Sequence, residues 1–217
     1  MYFPITIVDD FYENFDDVKN YVLNLKYKDK SFPSMAGITS EPLAELNKSL
    51  YDKVIRKILV LHYGRISNLH YDCDSFFDKI EGYGEEYDKK GWIHTDDDNM
   101  LTGLIYIQGN YDEGTSFYKP KNLGLSDYSD LKYKHSLYSH QKIDPEIYNE
   151  KLQKHNSNFE EILKVNLVPN RLVLFDSSIY HGADGFGSKN DPRIIQTVFF
   201  RLIENTYFPI PEIKRVH

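Results

Sequence analysis

The sequence predicts an α+β fold in which helices come first and an antiparallel β core follows, interrupted by one long excursion. Three observations predict it. Apolar residues recur at helical spacing in the first sixty positions. Short runs rich in β-branched and aromatic residues dominate from about residue 90. A polar, Tyr- and Lys-rich stretch, 121–164, separates two groups of those runs. Helices grouped ahead of strands favour α+β over alternating βαβ units. With 217 residues the chain suffices for one domain with a substantial core. That domain is expected to span 1–217, with 1–60 as helical support and 80–205 as the β core.

The elements follow in order. Asn14 is placed to cap a helix whose apolar face is Phe15, Val18, Val22 and Leu25. Ser40 is placed to cap a second, with Pro42 in its first turn and Leu43, Leu46, Leu50, Val54 and Ile58 on one side. Leu101–Gln108 reads as a buried strand, and a turn-like stretch leads to another at Thr115–Tyr118. A helix is expected over Pro145–Val165 within the excursion. Asn170–Phe175 and Arg193–Ile203 complete the strands.

Composition excludes several classes of function. Lys and Arg number 26 against 33 Asp and Glu, a net charge of −7, so no cationic excess is present to displace counterions from nucleic acid or an anionic membrane. Nucleic acid and membrane are therefore not the expected partners. A single cysteine, Cys73, rules out an internal disulfide framework and a multi-cysteine zinc site. The N-terminus lacks the pattern of a signal peptide, and the expected location is cytoplasmic. Gly82-Tyr83-Gly84 lacks phosphate-loop spacing, and no Gly-x-Ser-x-Gly elbow occurs.

Eight histidines are present, and two stand out by context. His94 and Asp96 sit two apart at the edge of a strand, a spacing that points both side chains to one face. His181 follows a strand, in a Gly- and Ser-flanked turn. Two histidines and a carboxylate on one face of an ion form the facial triad of non-haem Fe(II) oxygenases. Asp97 and Asp98 compete with Asp96 if the strand begins later. His62 and His70 read as ordinary, partly buried histidines.

The ordered set HTD at 94–96, LTGLIYIQ at 101–108, EGTSFY at 113–118, NRLVLFDSS at 170–178, YHGAD at 180–184 and RIIQTVFF at 193–200 resembles the 2-oxoglutarate/Fe(II)-dependent dioxygenases. Within them it is most similar to the prolyl-hydroxylase-like branch, and the phrases around His181 and Arg193 resemble small phage and marine bacterial members. A phage-encoded member would act in the host cytoplasm. The resemblance covers about residues 80–205. It implies a double-stranded β-helix, a jelly-roll-like barrel, with His94, Asp96 and His181 as iron ligands. It also implies that Arg193 pairs with the distal carboxylate of 2-oxoglutarate, helped by Tyr106 and Thr197. Arg201, on the same strand face, is the rival for Arg193, and Tyr106 also reads as a plain core aromatic.

The cofactors implied are Fe(II), 2-oxoglutarate and dioxygen, with ascorbate as an optional reductant. The implied activity is hydroxylation of a protein side chain or a small molecule, with release of succinate and carbon dioxide. The rival reading is a cupin-like metal-binding jelly roll without catalysis or without 2-oxoglutarate. Tyr83 and Tyr87 are expected at the mouth of the site. The excursion is expected to act as a separable lid, with Tyr128, Tyr133, Tyr138, Tyr148, Lys132, Lys134, His135 and His140 as its contacts, His135 and Tyr138 foremost. The sequence carries no sign of oligomeric state.

Overall fold

The computed structural model describes residues 5–30, 35–63, 69–122 and 130–205. Tyr128, one of the expected contacts of the excursion, lies outside them. Strands β1 (Thr6–Val8), β2 (Lys28–Asp29), β3 (Ile38–Thr39), β4 (Leu69–Ile80), β5 (Leu101–Gln108), β8 (Leu172–Asp176) and β10 (Arg193–Asn205) form one antiparallel sheet in the order β1-β8-β5-β10-β4-β3-β2. Strands β6 (Thr115–Pro120), β7 (Phe159–Val165) and β9 (Tyr180–Ala183) form a second, in the order β7-β6-β9.

Helices α1 (Phe15–Leu23), α2 (Leu43–Leu46) and α3 (Lys48–Tyr63) cover the outer face of the large sheet. Val18, Val22, Leu43, Ile55 and Ile58 pack there against Phe77, Leu101, Ile105, Val198 and Phe200. The inner face of the same sheet meets the small sheet through Leu104, Tyr106, Phe117, Val173, Phe175 and Ile195. Strand β5 is thus buried on both faces, which is why it reads as a continuous apolar run and not as an alternation. Along β10 the parity is strict: Ile194, Val198 and Phe200 face the helices, while Arg193, Ile195, Thr197 and Phe199 face a cavity between the sheets.

Several local expectations give way. Ser40 does not cap a helix; its hydroxyl donates to the Glu41 carbonyl and accepts from the Phe77 amide, tying the chain to β4. The expected single helix breaks at Asn47, whose side chain accepts from the Leu50 amide and starts α3. Helix α5 (Pro145–Asn156) ends where Ser157 and Asn158 turn back onto its last carbonyls. Residues 159–165, expected to prolong it, form β7 instead and pair with β6. Asn170 is not in a strand. It adopts φ +68° and grips both backbone groups of Tyr12 with its amide (2.7 and 2.9 Å). Strand β4 is the element the sequence conceals, because its inward-facing positions carry Asp74 and Asp78 beside Phe76 where an apolar alternation would advertise a strand.

The excursion contributes α4 (Leu131–Tyr138), α5 and β7. It is no detachable cover. Its helices share an apolar cluster with Trp92, Ile80 and Phe186, and its last strand is an integral edge of the small sheet. Among the described residues no helix is long and apolar enough to cross a membrane.

Gly114 precedes β6, and a Cβ built on it would collide with the Val165 carbonyl of the paired strand. Gly114→Ala is expected to cost about 1–3 kcal/mol, lowering the thermal midpoint by about 2–4 °C per kcal/mol for a chain of this size. A calorimetric scan checks this, and an unchanged midpoint would mean the β6–β7 register is looser than described.

Candidate metal centre

The site is built where the segment before β5 closes on β9. His94 and His181 form an antiparallel bridge, each amide donating to the other's carbonyl (2.9 and 2.8 Å), and Gly91 donates to the Ala183 carbonyl (2.8 Å). This seats the two imidazoles side by side, with ring centroids 4.5 Å apart. Each ring is fixed by its Nδ1, which lies 2.8 Å from the Trp92 carbonyl in His94 and 2.9 Å from the Ile179 carbonyl in His181. An Nδ1–H donated to a carbonyl leaves Nε2 unprotonated and available as a ligand.

Asp96 completes the cluster. Its amide donates to the Ser177 carbonyl (2.8 Å), and its carboxylate lies 3.6 Å from His94 Nε2 and 3.4 Å from His181 Nε2. The Thr102 hydroxyl donates to the carboxylate (2.9 Å) and is itself 2.8 Å from the Ser177 hydroxyl. Burial works against the charged carboxylate, yet His181, His94 and Thr102 together hold Asp96 well below the usual carboxylate range. Burial, reinforced by Lys134 and His181, pushes the His94 pKa down and keeps the ring neutral. Two imidazoles and one carboxylate, with ligand atoms all within 4.8 Å of one another, are a donor set suited to a divalent transition metal. Asp97 and Asp98 are exposed and stand outside this cluster.

A chamber of about 110 Å³ runs from these three residues to Arg193. Arg193 is only 2 % exposed. Its Nε donates to the Glu113 carbonyl (2.8 Å) and its Nη2 lies 3.4 Å from that of Gly114, with the guanidinium 5.9 Å from the centre of the Tyr106 ring. Among the described residues no carboxylate lies within ion-pair distance of it. Arg201 is different in kind, an exposed arginine paired with Asp72 and Asp74 and outside the lining of this chamber. The Tyr106 hydroxyl donates to Thr115 (2.9 Å), and Thr115 lines the chamber. Thr197 also lines it and donates to Asp78 (2.9 Å), which pairs with Lys30 (3.0 Å).

A larger cavity of about 760 Å³ opens from the same cluster, with His94 and Asp96 in its wall. His135 lines this outer space, and Tyr138 lines the inner chamber. Tyr83 and Tyr87 line neither. Tyr83 stacks on Tyr138 (5.5 Å) and accepts from the Gly37 amide, while Tyr87 donates to the Ile143 carbonyl (2.7 Å), so both brace the excursion from behind.

Sequence reasoning passed over two groups. Thr102 and Ser177 support Asp96, and only their small polar side chains, one inside the apolar strand β5 and one in the turn after β8, signal it. At the end of α5, the Asn156 amide clamps the Gly91 carbonyl and the Ile93 amide (3.0 and 3.1 Å), and His155 Nε2 lies 2.8 Å from the Ile93 carbonyl. The excursion thereby fixes the segment that carries His94.

Residues 3–185 match the model of DUF6445, described as a family of unknown function. No curated protein matches the chain by sequence. Solved structures share the fold at low identity. HygX from Streptomyces hygroscopicus, with nickel and 2-oxoglutarate bound, aligns at a TM-score of 0.56 and 9 % identity, over 94 % of this chain and 84 % of its own. An oxidoreductase of the 2OG-Fe(II) oxygenase family from Burkholderia pseudomallei aligns at 0.52 and 9 %, over 91 % and 84 %. A prolyl hydroxylase from Trichoplax adhaerens, in complex with a hypoxia-inducible-factor peptide, aligns at 0.51 and 14 %, over 90 % and 82 %. The fold is therefore one that 2-oxoglutarate oxygenases use.

Thr102→Val keeps the shape of the side chain and removes the hydroxyl that orients Asp96. It is expected to weaken binding of Mn(II) about 10- to 100-fold, measured by calorimetric titration of the metal-free protein. Unchanged affinity would show that Asp96 needs no support from β5.

Proposed function

We propose that this chain, which belongs to the DUF6445 family, is an Fe(II)- and 2-oxoglutarate-dependent oxygenase whose default reaction is hydroxylation of an unactivated C–H bond. In this reading the whole of 1–217 is one domain and the two facing sheets are the walls of a double-stranded β-helix. The observation that carries it is Arg193: a buried arginine with no carboxylate partner among the described residues, set across a small chamber from a two-histidine, one-carboxylate cluster. A buried cation is costly unless something pairs with it. A dicarboxylate that chelates a metal with one end and meets Arg193 with the other satisfies both ends of the chamber.

In this assignment His94, Asp96 and His181 hold the iron, and Arg193 receives the far carboxylate on its planar fork of donors. Thr115, which accepts from Tyr106 and keeps its own proton, offers its hydroxyl to the same carboxylate. Tyr106 holds Thr115 in position and lies under the guanidinium, and Thr197, whose hydroxyl donates to Asp78, lines the chamber beside them. Bound iron and 2-oxoglutarate supply the oxidising chemistry, in which dioxygen is split between succinate, formed with loss of carbon dioxide, and the hydroxylated product. The protein contributes orientation and dryness. Leu104, Ile195 and Phe199 wall the chamber with apolar surface, and the bridge between His94 and His181 keeps two ligands in fixed relation. No protein nucleophile is required. The outer cavity is of a size that takes a small molecule or a short peptide segment. A prolyl-hydroxylase-like action on a protein side chain and an action on a small molecule both belong to this reading.

Succinate formation with added Fe(II) and 2-oxoglutarate tests it directly. Arg193→Ala is expected to weaken 2-oxoglutarate binding by about a hundredfold or more, since stranding a buried charge costs on the order of 3–5 kcal/mol. Arg193→Lys should recover part of the loss. His94→Ala and His181→Ala should abolish both metal retention and succinate formation. Retained activity in either histidine variant, or a larger effect from Arg201→Ala than from Arg193→Ala, overturns the assignment.

A further inference from the structure

Lys134 is a second buried cation at the site, and the reading above gives it no task. It lies on α4 of the excursion, is 6 % exposed, and lines both the inner chamber and the outer cavity. Among the described residues it makes no ion pair and no hydrogen bond; its ammonium stands 5.8 Å from the centre of the Tyr138 ring and acts on Asp96 and His94 only through space. The other lysine of the inner chamber, Lys30, is neutralised by Asp78.

The charges inside can be followed through loading. Asp96 is negative, while Arg193 and Lys134 are positive. A divalent metal adds two positive charges and 2-oxoglutarate two negative ones. Within the inner chamber one negative charge is still missing when both are in place, Glu45, Asp97 and Asp98 lining only the outer cavity, and the two ends of the cosubstrate already have partners in the metal and Arg193. The uncompensated charge sits on Lys134, at the junction where the outer cavity meets the metal cluster. A buried, unpaired lysine costs stability.

Resting on the proposed oxygenase reading, we propose that Lys134 anchors a carboxylate of the primary substrate, so that the substrates are small carboxylic acids hydroxylated close to their acid group. A single missing charge favours a carboxylate over a phosphate dianion. The position on α4 also gives the excursion a chemical role, that of presenting the recognising charge above the metal.

The test uses full-length protein loaded with Mn(II) and saturating 2-oxoglutarate without oxygen, titrated calorimetrically with small carboxylic acids (N-acetyl amino acids, hydroxy acids, short dicarboxylates) and their primary amides. Wild type is expected to prefer at least some acids over the matching amides by about ten- to hundredfold, the range of a charge-assisted hydrogen bond. Lys134→Met should erase the preference and Lys134→Arg should keep it. The 2-oxoglutarate affinity of Lys134→Met should fall by less than about tenfold, well short of the loss expected in Arg193→Ala. The metal-free Lys134→Met protein should melt at a higher temperature, because a buried unpaired charge is gone. No acid preference in wild type, the same preference in Lys134→Met, or a lowered melting temperature overturns the proposal. A large loss of 2-oxoglutarate affinity in Lys134→Met also overturns it and assigns the lysine to the cosubstrate. Failure of wild type to bind 2-oxoglutarate at all sinks the underlying oxygenase reading instead, which separates the two failures.

Discussion

The structure depends on one stretch of backbone pairing, the bridge that zips residues 91–94 onto 181–183. Without it the two imidazoles of the candidate site belong to segments almost ninety residues apart in the chain, and the bridge joins the two ligand-bearing residues directly. The pairing is short, so it is braced from outside. Asn156 and His155 grip the 91–93 backbone from α5, and Trp92 plugs the apolar cluster that α4 and α5 share with Ile80 and Phe186. The stability of the site and the packing of the excursion are therefore one property.

Much of this was legible in the sequence, for physical reasons that differ by element. Strand β5 announced itself because both of its faces are buried, and β10 because it is rich in β-branched and aromatic residues, although a register shift after Phe200 interrupts its alternation. His94 and Asp96 could be read as a pair from their spacing, and the structure brings them together with His181, but not through strand parity. Neither lies in a strand, His94 makes only a single bridge, and His181 sits inside β9 and not in a turn after a strand. What stayed hidden was whatever depends on partners distant in the chain. Strand β4 carries acidic residues inward because it lines a cavity, and β7 looks helical until its pairing with β6 is known. The break at Asn47 splits a stripe of apolar residues whose spacing alone is continuous. The clamp of Asn156 on Gly91 has no local signature, since an asparagine near a helix end is ordinarily a terminator.

The electrostatic design of the interior is a matter of which charges are matched. Lys30 with Asp78 is a closed pair, and Arg201 is closed on the surface by Asp72 and Asp74. Arg193 and Lys134 are left open, both lining the chamber that Asp96 also lines. A protein selected for stability alone would replace both with apolar side chains. Their retention in the same cavity is the strongest chemical statement the molecule makes.

Trp92 is the single tryptophan of the chain, and it is 1 % exposed. Its carbonyl holds the His94 ring, its indole N–H donates to the Tyr148 hydroxyl (3.0 Å), and its ring lies 5.1 Å from that of His155. One fluorophore thus touches the ligand-bearing segment on one side and the excursion on the other. Its emission isolates, from all 217 residues, the few contacts where loading of the centre and movement of α5 would be felt, so the protein reports on its own site without a label.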